Sequence, residues 1–279
     1  MHKTTTSRDG TPIAYEQLGA GEPVVLVDGA FCHRAFGPAA ELAALLAKRF
    51  RVYHYDRRGR GDSGDTAPYA IEREIEDLEA LIAAAGGSAF VYGISSGAAL
   101  ALRAAASGMP IRKLALYEAP FVVDDSRPAI PADYGERIKR ALAENRRGDA
   151  IKLFMREAVG LPAPFVWLMR MMPAWSQLKA AAPTLVNDYA ILGDSGAGKP
   201  LPSELQQTMA AIAMPTLVMG GAKSPAWLQR AVETVADGIS GSILLMLKGQ
   251  THQVSAKVLA PVLEAFFSYS NESFTPASG

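Results

Sequence analysis

A chain of 279 residues exceeds the size at which one hydrophobic core usually stops growing, so a large domain or a domain with a sizeable insertion is expected. Its 28 Lys and Arg balance 28 Asp and Glu, which gives no electrostatic reason to expect nucleic acid or an anionic membrane as partner. With 49% hydrophobic and 20% charged residues the composition is that of an ordinary soluble protein, and a small or neutral partner is the expectation.

The opening stretch, MHKTTTSRDGTPIAYE, lacks the apolar core of a signal peptide, and no window approaches a membrane-spanning run. A cytoplasmic protein is expected, with no membrane partner. The single cysteine, Cys32, rules out an internal disulfide framework and reads as a small buried residue in a reducing compartment.

Along the chain, TPIAYEQL reads as part of an antiparallel hairpin at a sheet edge. The runs PVVLVD (23–28), RVYHYD (51–56), AFVYGI (89–94), KLALYE (113–118), PTLVMG (215–220) and SILLML (243–247 at its core) read as buried strands. Between the first three lie two helical patterns, AELAALLAKRF and IEREIEDLEALIAAA. In the second, Ile71, Ile75, Leu78, Leu81 and Ile82 share one face, while Glu72, Arg73, Glu76 and Glu79 look outward. This alternation predicts an α/β fold with a mainly parallel sheet covered on both faces.

Between about 121 and 212 the alternation breaks. The stretch holds no convincing strand, carries six prolines from Pro128 to Pro183 and shows only short helical patterns such as DAIKLFMREAVG. A helical insertion is expected there, with residues 1–120 and 213–279 forming the core. Its segment FVWLMRMMPAW reads as helix core or as an adaptable apolar cover over a pocket. The polar tail SNESFTPASG is expected to be loose.

Chemistry enters with Gly93-Ile94-Ser95-Ser96-Gly97, which fits G-x-S-x-G between the strand AFVYGI and the small-residue helix SGAALALRAAAS. That context is the one a nucleophile elbow requires, with Ser95 at a strained turn and glycines on either side. Of the four histidines, His2 falls in a frayed terminus and His54 inside a strand, where it reads as a packed ring. His33 adjoins Cys32, and neighbouring side chains tend to diverge, so neither a metal site nor a cofactor is expected. His252, in LLMLKGQTHQV, lies beyond the carboxyl end of the last strand, the edge where Ser95 must also lie. A competing match, G-x-G-x-x-G at 59–64, places Asp62 where a phosphate would sit and delays the helix with Thr66-Ala67-Pro68. It reads as a polar loop.

With these motifs in place the chain resembles the α/β-hydrolase superfamily, in the group with a helical cap inserted after the sixth strand. The resemblance runs through VVLVDG, YDRRGRGDSG, GISSG, PTLVMGG and GQTH, nearly the whole chain. It implies an eight-stranded sheet, an oxyanion hole from the backbone N–H groups of Ala30 and Ser96, and a triad acid between Ser95 and His252. Two departures stand out. Asp28-Gly29 replaces the common His-Gly, and the loop Gly220-Gly221-Ala222-Lys223-Ser224-Pro225 has no carboxylate where the usual aspartate comes. Certain haloalkane dehalogenases and lactonases carry the acid after the preceding strand, which points to Glu118, with Asp124 and Asp125 as weaker candidates.

The resulting expectation is a cofactor-free serine hydrolase of an apolar ester or lactone. Ser95 is its nucleophile, His252 its base and Glu118 its orienting acid. Phe31, Phe121, Trp167, Met171 and Trp175 are expected to line the pocket. Carbon–carbon bond hydrolysis or lyase chemistry, kept open by Asp28, and a non-catalytic receptor are the alternatives. A homodimer is left open.

Overall fold

The computed structural model describes residues 2–193 and 201–268, and each apolar run of the sequence forms a strand of one eight-stranded sheet. In chain order the strands are β1 (His2–Thr6), β2 (Pro12–Leu18), β3 (Pro23–Val27), β4 (Arg51–Tyr55), β5 (Ala89–Ile94), β6 (Ile111–Tyr117), β7 (Thr216–Gly221) and β8 (Ile243–Leu247). Their spatial order is β1-β2-β4-β3-β5-β6-β7-β8. The hairpin β1–β2 joins β4 antiparallel, and the remaining pairs are parallel.

Every residue of β3, β5 and β7 is buried, as parallel strands covered on both faces require. One face packs on α2 (Ile71–Ala84), α3 (Ser96–Ala106) and α10 (Ala226–Gly238), and the other on α1 (Ala39–Leu46) and α11 (Ala256–Ser268). In α2 the expected face turns inward: Leu78, Leu81 and Ile82 are buried, with Ile71 and Ile75 packed at the margin. The helix α3 is buried almost all round because its alanines and glycine let it lie close against the sheet.

Between β6 and β7 come α4 (Tyr134–Ala143), α5 (Arg147–Leu153), a π-helical turn at Phe154–Ala158, α6 (Ala163–Met169), α7 (Trp175–Ala181), α8 (Leu185–Leu192) and α9 (Ser203–Ala210). Tyr134, Ile138, Ile151, Leu178 and Leu185 form a separate apolar cluster that takes in Phe31 from the loop after β3.

Two expectations need correction, and the loop after β4 adds a feature that the sequence reading did not contain. His2 is paired in β1 opposite Glu16, so strand pairing has ordered the terminus, and its Nδ1 lies 2.8 Å from Nη1 of Arg34. The segment FVWLMRMMPAW is largely not helix core: Phe165, Trp167, Leu168, Met171 and Met172 are all more than half exposed. Where nearly every residue is apolar, the pattern cannot say which side faces in. The loop after β4 is a loop, but its arginines are not solvated. Arg57, Arg58 and Arg60 are buried, because Glu74, Asp77 and Asp188 each meet one guanidinium with two hydrogen bonds of 2.6–2.9 Å. Glu74 and Asp77, one turn before Leu78 and Leu81 on the inward side of α2, are buried with them. The tail SNESFTPASG lies outside the described residues.

Backbone packs closely on backbone where α3 starts. A Cβ on Gly97 would sit 2.2 Å from the Val27 carbonyl oxygen and 2.5 Å from that of Asp28. Gly97→Ala is therefore expected to cost at least about 1–3 kcal/mol of stability through overpacking, read as a lower urea midpoint at unchanged slope. An unchanged midpoint would show that β3 and α3 can separate freely.

Candidate active site

Parallel register brings the carboxyl ends of the central strands to one edge. Val27 pairs with Gly93, Ile94 with Tyr117, Tyr117 with Met219, and Gly221 with Leu247. The residues that follow, 28–30, 95, 118 and 252, therefore emerge together, in the crevice where open α/β sheets bind ligands.

Ser95 sits between β5 and α3 at φ 57° and ψ −128°, a conformation an L-residue adopts only under constraint. The constraint comes from its neighbours. Its N–H donates to the Tyr117 carbonyl at 2.9 Å, and a Cβ on Gly93 would strike the Gly97 carbonyl oxygen at 2.6 Å. Phe31 (φ 64°) and Glu118 (φ 47°) are also held at positive φ, so three of the four such non-glycine residues among those described surround this edge. Strain concentrated in this way is a mark of a functional site.

His252, in the loop after β8, has Nε2 3.2 Å from the Ser95 Oγ and Nδ1 2.8 Å from Oε2 of Glu118. An imidazole donating from Nδ1 to the carboxylate leaves Nε2 to accept the serine proton, the tautomer a general base needs. Glu118 is 1% exposed. Its Oε1 accepts the Gly221 N–H and the Ser224 hydroxyl, both at 2.6 Å. The end of β7 and the loop after it thus carry no acid but supply donors to Glu118. Tyr117 donates its hydroxyl to the Thr251 carbonyl at 2.7 Å and anchors the histidine loop from the same strand. The His252 side chain is 41% exposed, so water reaches the site.

Three of the sequence-derived residues therefore meet in one hydrogen-bonded chain. The weaker acid candidates do not join it: Asp124 pairs with Arg230 at 3.3 Å, and Asp125 is exposed. Gly29 lies against Ser95, since a Cβ there would be 2.9 Å from Ser95 Cβ and 3.5 Å from its Oγ. The next N–H, that of Ala30, and the N–H of Ser96 have no hydrogen-bond partner among the described residues. Asp28 is 1% exposed, with Oδ2 2.9 Å from Nε2 of His54 on β4, which is buried as expected. Burial pushes the Cys32 thiol up to about 12, so it stays protonated at neutral pH.

The expected pocket residues divide. Phe31 is buried and packs edge-on to Phe154 at 5.2 Å between centroids, joining the helical segment to the loop after β3. Phe121 instead belongs to the core under the sheet, and Trp167 and Met171 are exposed at 61% and 64%. Trp175, half-buried, lines a cleft of about 680 Å³ with Arg147, Arg170 and Lys179. That cleft and a second of about 310 Å³ both lie on the helical segment, and neither is lined by Ser95, Glu118 or His252. Periodicity can place a residue in the core but cannot tell which cavity it borders.

Sequence reasoning missed Asp188 of α8, whose Oδ1 accepts the Ser96 hydroxyl at 2.7 Å. Its one signal was an acid amid the apolar run TLVNDYAIL. Burial pushes its carboxyl up, but Arg60, Arg57 and the Ser96 hydroxyl outweigh burial and hold it below the usual carboxylate range. Among the described residues no group of three or more His, Cys, Asp or Glu is placed to hold a metal ion, and no helix is long and apolar enough to cross a membrane.

No curated protein is significantly similar to the chain. Among solved structures, an alpha/beta hydrolase from Sphaerobacter thermophilus DSM 20745 is 52% identical, with a TM-score of 0.88 over 95% of this chain and 100% of that one. A thermophilic esterase from Thermogutta terrifontis (23% identical, TM-score 0.68, 96% of this chain and 97% of that one) shares the fold. So does the enol-lactonase from Burkholderia xenovorans LB400 (22%, 0.68, 96% and 100%). The model of the alpha/beta hydrolase family matches residues 24–255, a span that holds the elbow, Glu118 and the histidine loop together, and by that match the chain is a member of this family.

Proposed function

We propose that this protein is a cofactor-free serine hydrolase that cleaves an apolar carboxylic ester or lactone through an acyl-enzyme. The observation that carries the reading is the chain from Ser95 through His252 to Glu118, at 3.2 and 2.8 Å, with the serine on a strained elbow. A fold shared with an esterase and an enol-lactonase is in keeping with it.

In this reading Ser95 Oγ attacks the substrate carbonyl as its proton passes to Nε2 of His252. The N–H groups of Ala30 and Ser96 receive the oxyanion, and Glu118 stabilises the imidazolium and holds its ring in place. The imidazolium then protonates the departing alkoxide, leaving Ser95 acylated. Water, deprotonated by the same nitrogen, attacks the acyl-enzyme, and the imidazolium returns that proton to the departing Ser95 Oγ as the carboxylic acid is released. In a lactone the alkoxide stays tethered to the acyl group, and the product is one hydroxy acid. Of the two features behind the carbon–carbon alternative, Asp28 has Oδ2 beside His54, and Glu118 stands beside His252 in place of the missing usual acid, which supports the ester or lactone reading. Residues 121–212, with Phe31 packed into their cluster, act as the cap that shapes the acyl pocket.

A fluorophosphonate is expected to label Ser95, and Ser95→Ala is expected to abolish both labelling and turnover while thermal unfolding stays that of the wild type. Labelling that survives in the variant would move the nucleophile elsewhere, and a folded wild type that neither reacts nor turns over would make the protein a receptor.

Replacing Glu118 by Gln keeps the size of the side chain but removes the charge opposite the imidazolium, so kcat is expected to fall roughly 10⁴-fold. Near-normal turnover in that variant would show that the acid lies elsewhere.

Across a series of p-nitrophenyl esters, kcat/KM is expected to rise with acyl length to a limit, each buried methylene adding about 0.8 kcal/mol, or roughly fourfold. A maximum at acetate would contradict an apolar acyl pocket.

A further inference from the structure

A carboxylate on the helical segment reaches the backbone that surrounds the nucleophile. Asp188 of α8 accepts two hydrogen bonds from Nη2 of Arg60, at 2.8 and 2.7 Å, one from Nη1 of Arg57 at 2.9 Å and one from the Ser96 hydroxyl at 2.7 Å. The two arginines continue into the loop after β3. Nη1 of Arg60 donates to the Gly29 carbonyl at 2.6 Å, and Nη1 of Arg57 to the Asp28 carbonyl and the Ser96 Oγ, both at 3.2 Å. Asp188, Arg57, Arg60 and Ser96 are each no more than 3% exposed.

We propose that Asp188, with Arg57 and Arg60, is a positioning residue of the oxyanion hole, holding the Ala30 and Ser96 N–H groups in the orientation that receives the tetrahedral intermediate. The proposal rests on the hydrolytic reading given above. The peptide unit is planar and trans, so a guanidinium gripping the Gly29 oxygen fixes the direction of the Ala30 N–H at the opposite end of the same amide. A carbonyl bonded to a cation is polarised, which also strengthens that N–H as a donor. On the other side, the Ser96 side chain is tied to the same carboxylate, so the residue that carries the second N–H is anchored to the same point. Donors fixed in advance need no reorganisation when the negative charge forms.

Stability alone is a weak reason for this arrangement. Two guanidiniums and the carboxylates of Asp188 and Glu74 are buried together, and the desolvation of such groups commonly cancels their attraction, so apolar residues would serve packing as well. Two features go beyond packing. The network ends on the amide carbonyl next to one oxyanion donor and on the side chain of the residue that carries the other. Its central carboxylate belongs to the inserted helices rather than to the sheet, so docking of α8 and completion of the oxyanion hole are one event.

The test uses Ser96→Ala, which keeps the backbone donor and removes the tether, and Asp188→Asn, which keeps the size and removes the charge. Each is measured for kcat and KM on the best ester of the series, for affinity toward a trifluoromethyl ketone that forms the tetrahedral adduct, and for thermal midpoint. Outright loss of one oxyanion donor costs about 10²–10³ in kcat, so a misdirected donor is expected to cost about 10- to 100-fold. KM should stay within about twofold, since the hole binds the transition state and not the ground state. Ketone affinity is expected to fall in parallel with kcat. Unchanged kcat and ketone affinity in Ser96→Ala, whatever the midpoint, would overturn the proposal and leave the network a scaffold. Should Asp188→Asn fail to fold, Ser96→Ala decides alone. A wild type that neither turns over esters nor reacts with fluorophosphonate removes the hydrolytic reading and this proposal together, whereas an active wild type with indifferent variants removes this proposal only.

Discussion

The close approach of backbone to backbone where β3, β5 and α3 meet is the constraint on which the carboxyl edge depends. Gly97 lies against the Val27 and Asp28 carbonyls, Gly93 against the Gly97 carbonyl, and Gly29 against Ser95, at separations that leave no room for a side chain at any of the three. This contact sets how near the loop after β3 comes to the serine. It also forces the turn between β5 and α3 to be sharp, and the φ of 57° at Ser95 is the result. Small residues therefore decide the position of a group they do not themselves provide.

Around that contact the protein buries charge instead of avoiding it. Arg57, Arg58 and Arg60 leave β4 directly into the interior, where Arg60 meets both oxygens of Asp188 through Nη2 alone, and Arg57 and Arg58 meet Glu74 and Asp77 in bidentate geometry through Nε and Nη2. Such geometry suits arginine, whose planar fork presents parallel donors. The pairs span distant parts of the chain: Glu74 and Asp77 come from α2, and Asp188 from α8 in the inserted helices. Neutral overall composition thus conceals an internal electrostatic frame that joins sheet, flanking helix and insertion.

Glu118 shows how an acid can serve a histidine from a neighbouring strand. It follows β6 at positive φ, with one oxygen on His252 and the other held by the last residue of β7 and the loop beyond it. Ser224 and the Gly221 amide donate to the carboxylate from the stretch where no acid is found. The charge beside His252 thus follows one strand, and the donors that align it come from the next.

Local chemistry made the strand and helix order, the elbow at Ser95 and the position of His252 readable from the sequence. Apolar periodicity, glycine spacing and residue type act over a few residues and leave a direct trace in the chain. Glu118 was reachable through the family resemblance, in which some members carry the acid after the strand that precedes PTLVMG, the place where KLALYE ends. Asp188, the burial of Arg57 and Arg60, the pairing of Asp28 with His54 and the solvent-facing side of Trp167 and Met171 were not legible. Each is settled by a partner distant in sequence, 131 residues away for Arg57 and Asp188, or by which side of a short apolar helix meets a neighbour. Whether a charge is buried with its counterion or left in water depends on that meeting, and it exists only once the chain has folded.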